Sequence, residues 1–149
     1  MAPLTHSYFC GASTTQIIYK TIGRYFDEIV QEHPDNSALL VRHQGVSWTY
    51  RELQARVDQL ASGLLALNVR PGDRVGIWGP NSSEWVLVQL ATAKIGAVMV
   101  CINPAYRLYE LEYALNKVSC SVLICDAQFK SSDYLGMITT LAPELALSG

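Results

Sequence analysis

The residues of this 149-residue sequence that could do chemistry are few and scattered. Asp73 and Asp126 each flank a segment that reads as a strand, where a carboxylate can hold a ribose or a metal ion. A turn residue and a strand-end residue are the better account of both. Ser13, Thr14 and Thr15 carry the hydroxyls of a phosphate loop, but no lysine and no second glycine follow at the required spacing. Gly76 and Gly79 lack the third glycine of a dinucleotide fingerprint. Asn81 and Ser82 open a helix whose first amides could bind an anion, although capping accounts for those residues. The histidines are isolated, His33 at a helix end and His43 in a turn, and there is no GxSxG elbow and no metal-ligand spacing. None of the four cysteines forms a CxxC pair. Cys101 and Cys125 fall in expected core strands and read as reduced, buried thiols of an intracellular protein. The residues alone therefore nominate no catalytic, cofactor-binding or metal-binding position.

The elements are clearer than the chemistry. Residues 1–20 show no sustained periodicity and read as an N-terminal arm, with residues 21–149 as an incomplete α/β subdomain. Thr21 caps a helix from Ile22 to His33 with Ile22, Phe26, Ile29 and Val30 on its apolar face. Two short strands follow, Ala38 to Val41 and Val46 to Trp48, joined by a turn. Thr49 and Glu52 form a capping box, with Trp48 placed to staple against Leu53, and the helix continues along Val57, Leu60, Ala61 and Leu64. Asn68 is a left-handed helix stop, and Pro71-Gly72-Asp73 turns the chain into the strand Arg74 to Trp78. The stretch from Gly79 to Pro104 is the organising unit. Asn81 and Glu84 are spaced as a capping box for a helix apolar on most sides, which Gly96 ends. Ala97 to Ile102 is a continuous apolar run, as in a strand covered on both faces. Leu108, Leu111 and Leu115 mark a further helix, with Tyr109 and Tyr113 as a packing pair beside that face. Val122 to Cys125 is a short buried strand, and the tail from Phe129 forms one more helix before Pro143. Alternation of strand and helix from residue 73 onward gives an α/β fold with a mostly parallel, doubly wound sheet and flanking helices.

Bulk properties exclude some functions. A net charge of −2 without a basic cluster is unsuited to nucleic acid. Gln89, Thr92 and Lys94 interrupt the longest apolar run, so no span of about 18 residues crosses a membrane. No basic region followed by an apolar stretch marks a secretory signal, and a cytoplasmic location is expected, or the mitochondrial matrix if a targeting segment has been removed.

One family pattern does emerge. Trp48-Thr49-Tyr50 with Glu52-Leu53, Pro71-Gly72-Asp73-Arg74-Val75, Pro80-Asn81-Ser82, Lys94-Ile95-Gly96-Ala97, Asn103-Pro104-Ala105-Tyr106 and Glu110-Leu111-Glu112-Tyr113 occur in that order. Together they resemble the start of an adenylate-forming (AMP-binding) enzyme, over roughly residues 21 to 142. Within that superfamily the last two motifs are most similar to fatty acyl-CoA synthetases, with medium-chain enzymes as the suggested subclass. Cys101 stands where proline is usual and Asn68 where glycine is usual. The resemblance implies the N-terminal portion of the large domain of such an enzyme. The full-length reaction it implies converts a fatty acid, ATP and CoA, with Mg, into acyl-CoA, AMP and pyrophosphate. It also implies that the phosphate loop, the adenine and ribose motifs and the C-terminal domain lie outside this sequence. The expectation is accordingly an acyl-CoA synthetase fragment that is inactive alone, binds no cofactor itself and self-associates through exposed apolar surface. Two alternatives stand beside it: an adenylating enzyme for an aryl or amino acid, and a non-catalytic interaction module on the same framework.

Overall fold

In a computed structural model, which describes residues 11, 14, 15 and 17–147, three parallel strands form the centre of the molecule. The arm expected over residues 1–20 lies largely outside the described residues, as does Ser13. Helix α1 (Ile22–Glu32), strands β1 (Ser37–Val41) and β2 (Val46–Thr49) and helix α2 (Tyr50–Ala66) come first. Then β3 (Arg74–Trp78), α3 (Ser83–Ile95), β4 (Val98–Ile102), α4 (Leu108–Lys117) and β5 (Val122–Cys125) alternate. A small hairpin of β6 (Gln128–Phe129) and β7 (Ser132–Asp133) leads into α5 (Tyr134–Leu141). The sheet order is β4-β3-β5, both pairings parallel, with Trp78 level with Ile102 and Cys125. β1 and β2 form a separate antiparallel hairpin.

Alternation along β3 divides the interior into two layers. Val75 and Ile77 pack into a core with Phe26, Val30, Val57, Leu64 and Val88 from α1, α2 and α3. Trp78, on the opposite face, joins Ile102, Leu111 and Tyr134 beneath α4 and α5. Helices thus cover both faces of a parallel sheet, as the strand–helix alternation requires.

Local signals explain why α2 starts and stops where it does. Thr49 Oγ1 accepts from the Glu52 amide while the Glu52 carboxylate accepts from the Thr49 amide, closing the capping box. At the other end Asn68 is left-handed, with φ 62°. The Val69 amide returns to Leu64 O and the Asn68 amide to Leu65 O, a Schellman motif in which buried Val69 accompanies buried Leu64.

Several expectations are corrected. Ile22 is 61% exposed, and buried Gly23 takes its place against α3. A Cβ on Gly23 would stand 2.9 Å from Lys94 Cα, so the two helices cross there too closely for a side chain. The strand Val98–Ile102 is not covered on both faces, since Val98 and Cys101 are exposed, and among the described residues it pairs only with β3. Tyr109 and Tyr113 are exposed rather than packed. Phe129 belongs to the hairpin before α5, which starts only at Tyr134, where Asp133 accepts from the Gly136 amide.

Lys94 ties three helices together. Its ammonium lies 2.5 Å from Asp27 Oδ1 on α1 and 2.5 Å from Asp58 Oδ1 on α2, and Gln54 donates to the same Asp27 oxygen at 2.7 Å. Burial raises the Asp27 pKa, but hydrogen bonds from Lys94 and Gln54 and the Lys94 charge outweigh it and leave the carboxyl below its ordinary value. Burial likewise opposes the Lys94 charge, and the two aspartates overcome it, holding the ammonium above its usual range. A lowered carboxyl stabilises the fold above its unfolded value of 3.8 and loses that contribution as pH falls through its folded value. A raised ammonium stabilises it below 10.5 and loses that contribution as pH rises through its own higher folded value. Lys94→Met should therefore cost about 1–2 kcal/mol at neutral pH, between the limits for surface and buried pairs. Urea unfolding should show the gap between variant and wild type closing as pH drops below 3.8. A gap that persists unchanged in acid would assign the cost to packing instead.

Candidate functional site

The connections leaving the sheet diverge at the carboxyl ends of its strands. β3 leads to α3 on one face, whereas β4 and β5 lead to α4 and α5 on the other. A crevice at such a switch point is where open α/β sheets take ligands. Here it is shaped by aromatic packing. The rings of Trp78 and Tyr134 stack with centroids 3.6 Å apart and planes at 14°. Trp78 Nε1 donates to Asn103 O at 3.1 Å, and the Tyr134 hydroxyl donates to Pro104 O at 2.6 Å. Asn103 Oδ1 accepts from the Ala105 amide at 2.9 Å, which closes the turn. The Asn103-Pro104 loop is thereby held at both carbonyls by aromatic side chains.

Between β3 and β5 the crevice is small, about 40 Å³, and is lined by Gly79, Pro80, Ser82, Trp85, Cys125 and Asp126. Trp85 Nε1 is buried there without a hydrogen-bond partner among the described residues. The Cys125 thiol is pushed above its ordinary value by burial and then by the neighbouring Asp126 charge, so it stays protonated at neutral pH and is a poor nucleophile. Cys101, expected in the core, is exposed at the free edge of β4, and Cys125 is half-buried.

The other candidates do not converge. Asp73 precedes β3, so it lies at the amino end of the strands, away from Asp126 at the carboxyl end of β5. Its carboxylate accepts from the Arg70 amide at 2.7 Å, which is turn chemistry. His33 caps the end of α1, and His43 lies in the short turn between β1 and β2. Gly76 is buried inside β3, where a Cβ would meet Cys120 Sγ at 3.0 Å.

The start of α3 differs from its sequence reading. Ser82, not Asn81, is the N-cap, and its side chain makes no capping bond. Gln44 supplies the cap from another element. Its Oε1 accepts from the Ser83 amide at 2.7 Å, and its Nε2 donates to Glu84 Oε2 at 2.9 Å. Burial raises the Glu84 pKa, but hydrogen bonds from Gln44 and its neighbours lower it on balance. The helix start that an anion would need is thus shared with Gln44 and an ionised carboxylate. Among the described residues no three His, Cys, Asp or Glu side chains gather as a metal site, and no helix is long and apolar enough to cross a membrane.

Comparison with known proteins gives the arrangement its context. A family profile described as AMP-binding enzyme matches residues 26–146. The chain belongs to the AMP-binding enzyme family. This AMP-binding chain is 46% identical over 139 residues to the mitochondrial medium-chain acyl-CoA ligase ACSF2 of Bos taurus, covering 93% of itself and 23% of that protein. The same ligase of Homo sapiens is 43% identical over equal shares. Among solved structures, the N-terminal domain of FACL13 from Mycobacterium tuberculosis superposes with a TM-score of 0.75 at 29% identity, over 82% of this chain and 29% of that one. The N-terminal subdomain of Klebsiella oxytoca NpsA, in complex with 3-hydroxybenzoyl-AMSN, gives 0.68 at 34% identity, over 76% and 29%. The chain spans less than a quarter of the length of the curated relatives it matches.

The motifs that carried the resemblance have visible structural work in the AMP-binding chain. Thr49 and Glu52 start α2, Lys94 joins three helices, and Gly96 ends α3 at φ 75° against Pro71. Asn103 and Pro104 receive the Trp78 and Tyr134 bonds, and Glu110 accepts from the Arg107 amide to start α4. Sequence reasoning missed Gln44 and Tyr134 as organisers. Neither has a local signal, because each acts on a residue about 30 to 40 positions away.

Proposed function

We propose that this chain is the N-terminal, framework-forming part of an AMP-forming acid–CoA ligase acting on fatty acids, medium-chain ones foremost. The observation that carries the reading is its 46% identity, over nearly its whole length, to a medium-chain acyl-CoA ligase. In the complete enzyme a fatty acid carboxylate attacks the α-phosphate of Mg-ATP. This forms an acyl-adenylate and releases pyrophosphate, and the CoA thiolate then displaces AMP. Charge accumulates on the transferring phosphate, and cationic groups aimed at it would lower the barrier. The crevice of this chain offers Asp126, Glu84 and a protonated thiol, which suit none of those steps. Its own role is positional: residues 21–149 hold the Asn103-Pro104 loop and the carboxyl ends of β3 and β5 against the rest of the enzyme. The mitochondrial relatives support a mitochondrial compartment. A second reading, adenylation of an aryl acid, is favoured by the likeness to NpsA in its 3-hydroxybenzoyl-AMSN complex.

The test is replacement. Substituting this chain for the matched 139 residues of the Bos taurus ligase should give a chimaera that makes acyl-CoA from medium-chain fatty acids. A chimaera that folds but makes none would refute the assignment. The aryl reading is checked separately, by carboxylate competition on the complete protein encoded at this chain's own locus. Benzoates preferred over fatty acids would establish it.

A further inference from the structure

One face of α4 is complementary to itself. A groove of about 270 Å³ runs between this helix and β4, lined along α4 by Tyr109, Glu110, Tyr113, Ala114 and Lys117, with Val118 at its end. Spacings of three and four residues put these side chains in one stripe. Tyr109 is 78% exposed and Tyr113 61%, and Cys101 on β4 is exposed beside them. Glu112 and Asn116 line a separate groove on another side of the helix, so they do not belong to the stripe.

When a helix packs on its own copy about a two-fold axis across it, the two run antiparallel and every contact occurs twice, with the identities exchanged. An axis passing between Tyr113 and Ala114 finds a fitting partner for each position of the stripe. Tyr113 then faces Ala114 of the second copy, and Tyr109 faces Val118, so each large ring meets a smaller side chain. Glu110 faces Lys117, and the symmetry makes that pair twice. Moving the axis onto Tyr113 would set Lys117 against Tyr109, and moving it onto Ala114 would set Glu110 against Val118. The match of size and charge therefore picks out a single register.

We propose that this stripe is the interface between two copies of the chain, joined by antiparallel α4 helices with Tyr109 and Tyr113 seated against the facing groove. Tyrosine brings a large contact area, and it is enriched in interfaces for that reason. The Glu110 carboxylate is already held at the helix start by the Arg107 amide, so ordering it on association costs less. Charge complementarity names the occupant. A purely apolar segment would leave Glu110 and Lys117 unpaired, whereas a second copy supplies a base for the one and an acid for the other. The pairing holds whether or not the chain belongs to a ligase acting on fatty acids.

Sedimentation equilibrium of the full chain, over a wide range of concentration, reads the dimer, and circular dichroism checks the fold. Lys117→Glu sets Glu110 against a second carboxylate and should raise the dissociation constant about tenfold or more. Tyr113→Ser removes the central ring from an exposed position and should do the same. Glu112→Lys, on another side of α4, should leave the constant at its wild-type value. Glu110→Lys should dimerise as poorly as Lys117→Glu, yet an equal mixture of the two should regain the wild-type constant, because both opposite-charge pairs re-form between them. If Glu110→Lys loses α4 together with its cap, Lys117→Glu and Tyr113→Ser still decide. A monomeric wild type overturns the proposal. So does a dimer left intact in folded Lys117→Glu and Tyr113→Ser, or a mixture of folded charge variants that stays monomeric. A wild-type dimer that dissolves on co-expression with the Bos taurus ligase deleted of its matched region would give this face to the rest of the enzyme, and overturns it as well. An inactive chimaera, by contrast, bears on the ligase reading alone.

Discussion

Leu64→Asp is expected to leave no folded chain. Leu64 is 2% exposed, and it lies in the larger core with Phe26, Val57, Val75 and Val88. It also receives the Val69 amide that closes the Schellman turn. An ionised carboxylate there would sit among apolar side chains, and burying an unpaired charge costs several kcal/mol beyond the lost leucine. A domain of this size has about 5–15 kcal/mol to lose. Leu64→Ala, which only opens a cavity, should cost about 2–5 kcal/mol. Leu60, four residues earlier on the same helix, is half-buried at the rim of the groove beside β5, so Leu60→Ala should cost about half as much. Urea unfolding followed by circular dichroism ranks the three. Leu64→Asp melting at the wild-type temperature would mean that α2 does not pack as described.

The difference between Leu60 and Leu64 shows what the sequence could convey. Periodicity along α2 named the buried stripe, and the Thr49–Glu52 box and Asn68 named its ends, because those signals lie within a few residues of the effects they produce. The order of β3, α3, β4, α4 and β5 followed from alternation for the same reason. What periodicity could not convey is which parts of an apolar face find a partner. Ile22 and Cys101 sit in patterns indistinguishable from core, yet one is exposed at the first position of α1 and the other on a strand that, among the described residues, pairs on one side only. Tyr109 and Tyr113 are spaced as a packing pair but face outward. Asn81 and Glu84 have capping-box spacing, and the cap came instead from Gln44, since a side chain from another element leaves no local trace. The candidate site was legible mainly through its turns: Asn103-Pro104 could be placed, but its clamp by Trp78 and Tyr134 depends on tertiary packing.

Carboxylate-dependent ATP–pyrophosphate exchange by the chain alone is expected to be nil, and this outcome bears most directly on the claim that it is a framework part of a ligase. Exchange requires positive groups placed against the transferring phosphate before it moves, and their removal from such sites costs orders of magnitude in rate. Two of the cations are committed elsewhere. Lys94 is held by Asp27 and Asp58 on the far helical layer, and Arg74 donates to the carbonyls of Gly72, Val118 and Ser119 at the amino end of the strands. At the carboxyl end the crevice carries Glu84 and Asp126, of the wrong sign. The measurement is labelled pyrophosphate incorporation into ATP with medium- and long-chain fatty acids, using protein purified through successive columns. The account predicts incorporation at the level of a protein-free blank. Incorporation that follows the chain through every column, and disappears in the unfolded Leu64→Asp preparation, would contradict it.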